Sequence, residues 1–163
     1  MIFVTVGTHE QQFDRLIKKI DEMGLQEEVI MQTGYCDYEP KNCKFQKFFD
    51  FDEMKELADK ARIIITHGGP SSFIMALERK KIPIVVPRRA EFNEHVNDHQ
   101  VKFCHAVADK QGTIVVIDDV DELENVIKNY DTITADMAKG MTFNNQRFCE
   151  GIEDIVNSLI KEK

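Results

Sequence analysis

Residues 62–72, RIIITHGGPSS, place a strongly β-branched run directly before two glycines, a proline and two serines. Consecutive isoleucines without polar alternation are typical of a strand that is buried on both faces of a parallel sheet. Pro70 suits the first turn of a helix, where an N–H group has no helical partner in any case. The stretch therefore predicts a strand at 62–66, a tight turn and a helix at 71–80.

The rest of the chain repeats this alternation of apolar strands and amphipathic helices. Five more strands are predicted at 2–6, 28–33, 45–49, 83–86 and 113–117. Five more helices are predicted at 11–23, 53–60, 94–109, 121–129 and 145–161. This order favours an α/β fold, a Rossmann-like parallel sheet with helices on both faces. We expect one domain over residues 1–163, ending in the helix at 145–161, and we expect Asp52 to cap the helix at 53–60.

The composition narrows the classes of function. The net charge is −8, and an acidic protein gains little from the counterion release that drives nucleic-acid binding. No apolar run approaches the ~20 residues that span a bilayer, and the N-terminus lacks the basic segment of a signal peptide. The four cysteines form no CxxC pair, which disfavours disulfides and a zinc site; they are Cys36, Cys43, Cys104 and Cys149. The cytoplasm is therefore the expected compartment.

The turn after the strand 62–66 is the strongest candidate for a binding site, because ligands of doubly wound sheets lie beyond the carboxyl ends of the strands. Gly68 and Gly69 can expose successive backbone N–H groups, and Ser71 and Ser72 add hydroxyl donors. At a helix N-terminus this set forms an anion nest. It is neither a GxGxxG loop nor a P-loop. The alternative is a tight turn without a ligand.

Two other loops carry weaker signals of the same kind. Gly7 and Thr8 follow the first strand and could approach a ligand, or Thr8 could simply cap the next helix. Phe51 follows the third strand, where it could pack on a base, or with Met54 could fasten the next helix to the core.

The segment 87–100 is dense in polar groups. Glu94, Asp98 and Gln100 could exchange hydrogen bonds with sugar hydroxyls, or could form the solvated start of a helix. A basic cluster flanks the preceding strand and could meet phosphates or a membrane, or form a solvated rim; it comprises Arg79, Lys80, Lys81, Arg88 and Arg89.

Two histidines in this segment raise the question of a metal. In a helix at 94–109, His95 and His99 would share one face, a spacing that fits a metal pair. No third ligand follows at a recognisable spacing, so we predict no metal site.

Taken together, these loops resemble a known family. Residues 49–100, FDFDEMKELADKARIIITHGGPSSFIMALERKKIPIVVPRRAEFNEHVNDHQ, are similar to the C-terminal domain of MurG-related glycosyltransferases (glycosyltransferase family 28), which have the GT-B architecture. Residues 4–21, VTVGTHEQQFDRLIKKID, resemble the single-domain PssE-type proteins of exopolysaccharide and capsule synthesis. Those proteins are similar to the catalytic subunit of the two-part transferase that adds N-acetylglucosamine to a dolichol-linked sugar. The resemblance covers roughly the first 108 residues.

The resemblance implies a function for the whole chain. It would be the half of a GT-B enzyme that holds a UDP-sugar donor, while a membrane-associated PssD-type partner anchors the complex and contributes to the acceptor site. The implied reaction is an inverting transfer of a hexose to an undecaprenyl-diphosphate-linked saccharide. No cofactor, metal or nucleic acid is expected, and the partner would recruit the chain to the inner face of the membrane.

The resemblance also implies roles for individual residues. The diphosphate would be held by Gly7, Thr8, Gly68, Gly69, Ser71 and Ser72. Phe51 and Met54 would border the uracil, and the donor sugar would meet Asp98, His99 and Gln100, beside Glu94. Met75 stands where related enzymes have a ribose-binding glutamate, and Glu78 could substitute for it.

The chemistry leaves two questions open. An inverting transfer needs a general base, which we expect on the partner, with His9 and His67 as the candidates in this chain. The alternative function is a non-catalytic module that stabilises or enhances a membrane-associated transferase. A GT-B-type sugar epimerase is disfavoured, because both halves of that enzyme would be expected in one chain.

Overall fold

A computed structural model describes residues 1–137 of the protein. Its six strands are β1 (Ile2–Thr5), β2 (Val29–Gln32), β3 (Lys44–Gln46), β4 (Ile63–His67), β5 (Ile84–Val86) and β6 (Val115–Val116). They form one parallel sheet in the order β3-β2-β1-β4-β5-β6. This is the strand order of a doubly wound Rossmann sheet, so the predicted α/β fold is confirmed. The order reverses between β1 and β4, which are adjacent in space although β2 and β3 separate them in sequence.

Within residues 1–137, six α-helices cover the two faces of the sheet. They are α1 (Asp14–Glu22), α2 (Phe51–Lys60), α3 (Pro70–Glu78), α4 (His99–Gln111), α5 (Leu123–Lys128) and α6 (Tyr130–Thr134). Alternate strand residues face opposite sides, as the pleat requires. One face packs α1 and α5 through Leu16, Ile17 and Leu123, and the other packs α2, α3 and α4 through Ala58, Ala76 and Cys104. Isoleucines fill both faces because each residue of a covered parallel strand is buried.

The start of α2 differs from the prediction. Asp50, not Asp52, caps the helix, since its carboxylate accepts the Glu53 N–H at 2.8 Å. The Glu53 carboxylate accepts the Asp50 N–H at 3.0 Å in return. A capping box needs a glutamate three residues after the cap, and only Asp50 has one at that spacing.

The predicted helix at 94–109 is wrong at its start, because α4 begins at His99. The residues before it form a short 3-10 turn at Ala90–Phe92, and Asn93 has a left-handed backbone. The Asp98 carboxylate accepts the Ala90 N–H at 2.9 Å, and such side-chain bonds to the backbone compete with helix formation. His95 and His99 therefore do not share a helical face.

Two further differences concern the C-terminal part. The helix α6 was not predicted; its Tyr130 hydroxyl donates to the Ile82 carbonyl at 2.6 Å and so fixes the helix beneath β5. The predicted terminal helix at 145–161 lies outside the described residues.

Candidate active site: a groove at the carboxyl edge of the sheet

A groove of about 710 Å³ opens at the carboxyl edge of the sheet, where β1 and β4 meet. This is the position at which open α/β sheets bind ligands. The groove is lined by Thr5, Gly7, Thr8, His9, Glu10, Gln32, Phe49, Phe51, Met54, His67, Ser71, Ser72 and Gln100. Nine of these residues were predicted from sequence as site residues, and they come from four separate segments of the chain.

The turn after β1 forms one wall. Gly7 has φ +74°, a conformation that side chains with a Cβ rarely adopt. A Cβ at this position would lie 2.4 Å from Cε1 of His67, so the close approach of the ring also requires glycine. Thr8 and His9 follow on the groove side. The turn after the first strand thus lines the groove, and its predicted contact with a diphosphate stays a prediction.

The N-terminus of α3 forms the facing wall. Gly69 precedes Pro70, the first helical residue, and no side chain caps the helix. Pro70 has no N–H and the Ser72 N–H donates to the Gly69 carbonyl at 3.1 Å, so the Ser71 N–H is the amide of this turn that needs an outside acceptor, and an anion suits it best. Ser71 and Ser72 line the groove beside this amide. A Cβ on Gly69 would lie 2.3 Å from Nε2 of His67.

Gly68 has a different role from the one predicted. Its N–H donates to Oε1 of Gln100 at 3.2 Å and is buried, so this amide does not face the groove. A Cβ on Gly68 would lie 2.8 Å from Sγ of Cys104. Gly68 therefore allows α4 to pack closely behind the turn, and neither Gly68 nor Gly69 is among the residues that line the groove.

His67 is wedged between the two glycine turns and is almost fully buried. Burial, followed by the charge of Arg88, lowers the pKa of His67 to about 4, and Nδ1 makes no hydrogen bond within residues 1–137. A neutral imidazole with so low a pKa is a weak general base at neutral pH. His67 serves as a packed wall of the groove.

His9 is the more accessible of the two histidine candidates. Its Nε2 lies 2.9 Å from Oε1 of Gln11, and its ring stacks on His95 with centroids 4.8 Å apart. Burial, and then the charge of His9, lowers the pKa of His95. His9 reaches the groove and has an ordered hydrogen-bond partner, which are the requirements for a group that exchanges a proton with a ligand.

The opposite end of the groove is aromatic. Phe51 is 73 % exposed at the start of α2, with Nζ of Lys55 lying 4.4 Å from its ring centroid. Because it is so exposed, Phe51 does not fasten the helix to the core; Met54 packs partly against the core instead. Phe49 lines the groove between them. This end offers apolar faces to a flat ring.

Thr5 and Gln32 form the floor and were not predicted as site residues. The Gln32 side chain donates to Oγ1 of Thr5 at 3.1 Å and accepts the Phe49 N–H at 3.2 Å. Oγ1 of Thr5 also accepts the Gly7 N–H at 3.2 Å, which leaves its O–H as a donor for the groove. The available signal was a polar residue closing each of two otherwise apolar strands.

Of the residues expected to meet the donor sugar, only Gln100 lines the groove. Its amide oxygen accepts the N–H groups of Gly68 and Arg88, at 3.2 and 3.1 Å, so its NH₂ group is left for a ligand. Asp98 and His99 are exposed at the start of α4 and do not line the groove.

Glu94 is 1 % exposed and lies in a buried ion pair. Its carboxylate oxygens accept Nε and Nη2 of Arg15 at 2.9 and 3.0 Å, and the Arg89 N–H at 3.0 Å. These three bonds saturate the carboxylate, because burial leaves it no room for a further ligand. The structure therefore places Glu94 behind the site rather than within it.

The helix α3 does not bring a carboxylate into the groove. Glu78 is exposed at the far end of the helix and is not a lining residue, while Met75 packs against the core beside Ala76. The proposed substitution of Glu78 for a ribose-binding glutamate thus has no support from its position.

The predicted basic cluster does not form one surface. Arg88 is fully buried, Arg79 pairs with Asp59 at 2.7 Å, and Lys81 donates to the carbonyls of Ala58 and Asp59 at 2.6 Å. Within residues 1–137, no helix has the length and apolar character to cross a membrane. The same residues hold no group of three or more potential metal ligands.

Known proteins share this architecture. The glycotransferase of kitacinnamycin is 17 % identical and superposes with a TM-score of 0.63 over 85 % of this chain and 37 % of its own. The glycosyltransferase SnogD from Streptomyces nogalater is 18 % identical, with a TM-score of 0.58 over 84 % of this chain and 36 % of its own. The chain thus spans little more than a third of either structure. Both likenesses confirm the predicted GT-B C-terminal fold.

Sequence comparison identifies the family. No curated protein matches the chain at a significant level. The model of the glycosyltransferase family 28 C-terminal domain matches residues 1–158. Because this match covers nearly the whole chain, the protein belongs to the glycosyltransferase family 28 C-terminal domain family.

Proposed function

We propose that this chain is the donor-binding subunit of a two-chain inverting glycosyltransferase. It would transfer a hexose from a UDP-sugar to an undecaprenyl-diphosphate-linked saccharide in exopolysaccharide or capsule synthesis. The observation that carries the proposal is the groove itself, in which an uncapped helix N-terminus faces the Gly7 turn and exposed aromatic rings stand at the other end. Amides suit a diphosphate and the aromatic faces suit a uracil.

The proposed chemistry is stabilisation of departing UDP. Negative charge develops on the diphosphate as the glycosidic bond breaks, and the loss of one preorganised N–H donor costs about 3 kcal/mol in comparable sites. In this proposal the donors are the Ser71 N–H at the start of α3 and the hydroxyls of Ser71 and Ser72, which line the groove. We therefore propose that the reaction needs no resident metal, and we expect excess EDTA to leave turnover unchanged.

The proposed partner would cover the exposed apolar residues around the groove. Five large apolar side chains that follow strands at the carboxyl edge are exposed; they are Tyr35, Phe48, Phe51, Phe92 and Val96. Apolar groups that cluster on one edge are typical of an interaction surface. A membrane-associated PssD-type subunit docked there would bring the lipid-linked acceptor and the general base, with His9 as the candidate base in this chain. This pairing would hold the chain at the cytoplasmic face of the membrane.

Titration with UDP tests the donor site. We expect the wild type to bind UDP and Gly69→Val to lose binding, because the new side chain would displace His67 into the groove. Gly24→Val is the control: no atom lies within 4 Å of its Cβ, and its φ of +61° makes the backbone strain larger than at Gly69, whose φ is −79°. Retained UDP affinity in Gly69→Val, with a folded protein by thermal denaturation, would contradict the proposed site.

A turnover assay tests whether sugar transfer requires both chains. The purified chain should transfer sugar only when the partner is present. Full turnover by this chain alone, with donor and lipid acceptor, would exclude the two-chain site.

One observation favours a second candidate function, a non-catalytic module that stabilises or enhances a transferase. The helix α3 brings no carboxylate to the groove for a ribose, since Met75 is packed inward and Glu78 lies at the far end. If UDP fails to bind even with the partner present, this second function is the correct one.

A further inference from the structure

Arg88 is fully buried, although it follows β5 by only two residues. Its guanidinium donates four hydrogen bonds, and all four acceptors are backbone carbonyls. Nη1 donates to Gln11, Gln12 and Glu94 at 2.8, 3.0 and 3.1 Å, and Nη2 donates to Val6 at 2.9 Å. Nε is buried without a hydrogen-bond partner in residues 1–137.

Among residues 1–137, no carboxylate lies at salt-bridge distance from Arg88. Carbonyl groups stabilise a guanidinium but carry no net charge. The nearest carboxylate, that of Glu94, is held on both oxygens by Arg15. Arg15, Arg88 and Glu94 together therefore keep one net positive charge inside a protein whose overall charge is −8. An unpaired buried charge is costly, and an apolar side chain would fill the space at lower cost.

The position of this charge connects it with the groove. The Val6 carbonyl directly precedes Gly7, so the guanidinium lies just behind the β1 turn. The backbone N–H of Arg88 shares the Gln100 amide oxygen with the N–H of Gly68, which ties the same residue to the second turn. After burial, the Arg88 charge is the largest influence that lowers the pKa of His67. The field of Arg88 thus reaches a side chain that lines the groove.

We infer that Arg88 is a positioning and electrostatic residue for the ligand of the groove. Its hydrogen bonds to the carbonyls of Val6, Gln11 and Gln12 hold the segment after β1 in place, and its charge attracts the diphosphate through a poorly screened interior. The inference rests on the proposed donor function and adds to it a source of specificity for the diphosphate over the bare nucleoside. Arg88 itself does not touch the reacting atoms.

The test compares UDP with uridine, which lacks the phosphates. Calorimetric titration gives the affinity of each for the wild type, Arg88→Gln and Arg88→Lys. In Arg88→Gln we expect UDP to bind at least about tenfold more weakly, since a unit charge has been removed, while uridine changes less than about twofold. Arg88→Lys keeps the charge and should retain most of the preference for UDP.

The matched control is Arg79→Gln. It removes the same unit charge from a partly buried arginine at the far end of α3, about 13 Å from the N-terminus of the helix, and should change neither affinity. Thermal denaturation establishes that each variant is folded.

The outcomes separate the two proposals. If UDP and uridine weaken equally in Arg88→Gln, or if neither weakens, the inference about Arg88 is wrong while the donor site stands. If the wild type binds neither UDP nor uridine, both the proposed donor function and the inference about Arg88 are wrong. If Arg88→Gln does not fold, Arg88→Lys decides: a retained preference for UDP supports the inference, and a lost preference overturns it.

Discussion

Asp21 near the amino edge of the sheet and Arg88 at the carboxyl edge are both almost fully buried, and each bonds to neighbouring loops. The Asp21 carboxylate accepts the backbone N–H groups of Lys41 and Asn42 at 2.8 Å, that of Cys43 at 3.0 Å and the Tyr38 hydroxyl at 2.8 Å. Asp21 thus uses N–H and O–H donors, whereas Arg88 uses carbonyl acceptors. In the part of the chain that the structure describes, neither charge has a counterion at salt-bridge distance.

The difference lies in what the two charges hold together. All partners of Asp21 belong to one continuous loop, which leads into β3, so Asp21 fastens a single connection to α1. The partners of Arg88 come from the segment after β1, which borders the groove through Gly7, Thr8 and His9, and from Glu94 after β5, which lies behind the groove. A buried charge that bonds to neighbouring segments therefore stabilises a loop at the amino edge and fixes the wall of the groove at the carboxyl edge. Variants at Asp21 and at Arg88 should therefore show that stability and ligand affinity can change independently.

The largest expected effect is on stability at the amino edge. Asp21→Ala leaves three N–H groups and one hydroxyl without their acceptor, and at about 1 kcal/mol each the free energy of unfolding should fall by about 4 kcal/mol. Urea denaturation measures this loss. UDP affinity of the folded variant should not change, because Asp21 does not line the groove.

Asp21→Asn is the matched control for this prediction. It keeps the volume and one acceptor oxygen, so its loss of stability should be smaller than that of Asp21→Ala. A fall in UDP affinity that tracks the stability of both variants would show that the two edges are coupled.

The second prediction distinguishes Asp21 at the amino edge from His67 at the carboxyl edge by the pH range in which each loses its contribution to stability. Burial opposes ionisation of Asp21, but its hydrogen bonds outweigh this effect and lower its pKa. Its stabilisation is therefore present above the unfolded pKa of about 3.9 and is lost as the pH falls below that value. His67 has a folded pKa of about 4 against about 6.5 when unfolded, so the unfolded chain binds the proton more tightly. The corresponding stability, about 3 kcal/mol, is present above pH ~6.5 and is lost as the pH falls toward 4.

Denaturant unfolding at a series of pH values from 7 to 3 measures the free energy of unfolding across both pH ranges. His67→Gln should reduce the loss between about pH 6.5 and 4, with a remainder from His95, whose pKa burial also lowers. Asp21→Asn should still lose stability between about pH 6.5 and 4, but its further loss of stability below about pH 4 should be smaller than in the wild type. Identical profiles for wild type and His67→Gln would contradict the buried, neutral state of His67.

The contrast between the edges also shows what the sequence could predict. The strand β4, the turn and α3 were predicted nearly to the residue, because an apolar β-branched run and a Gly-Gly-Pro turn are local signals. The two glycine turns and the aromatic end of the groove follow from their places after strands. The start of α4 was wrong because Asp98 and Asn97 bond to nearby backbone instead of allowing the helix to begin earlier.

The parts that were missed depend on distant partners. Arg88 contacts Val6, and Glu94 contacts Arg15, across 82 and 79 residues of sequence. In the sequence, both look like members of a charged surface segment, and only the adjacency of β1 and β5 to β4 brings their partners within reach. Gln32 was missed for the same reason, because its hydrogen-bond partners Thr5 and Phe49 lie in different segments of the chain.

The smallest expected effect tests the residue that joins the two turns of the groove. Gln100→Glu keeps an oxygen for the N–H groups of Gly68 and Arg88 but replaces the NH₂ group with a second anionic oxygen. We expect the unfolding free energy to change by less than about 1 kcal/mol, and UDP affinity to fall about tenfold through repulsion of the diphosphate. Uridine, which carries no phosphate, should bind as before.

Gln100→Leu provides the opposite control, because it removes the acceptor and the donor together. Two buried N–H groups would lose their partner, so stability should fall by about 2 kcal/mol, and the loosened turns should weaken UDP and uridine alike. If Gln100→Glu instead binds UDP as tightly as the wild type, the amide does not face the diphosphate. Gln100 would then belong with Asp21, as a residue that holds loops together and takes no part in recognition.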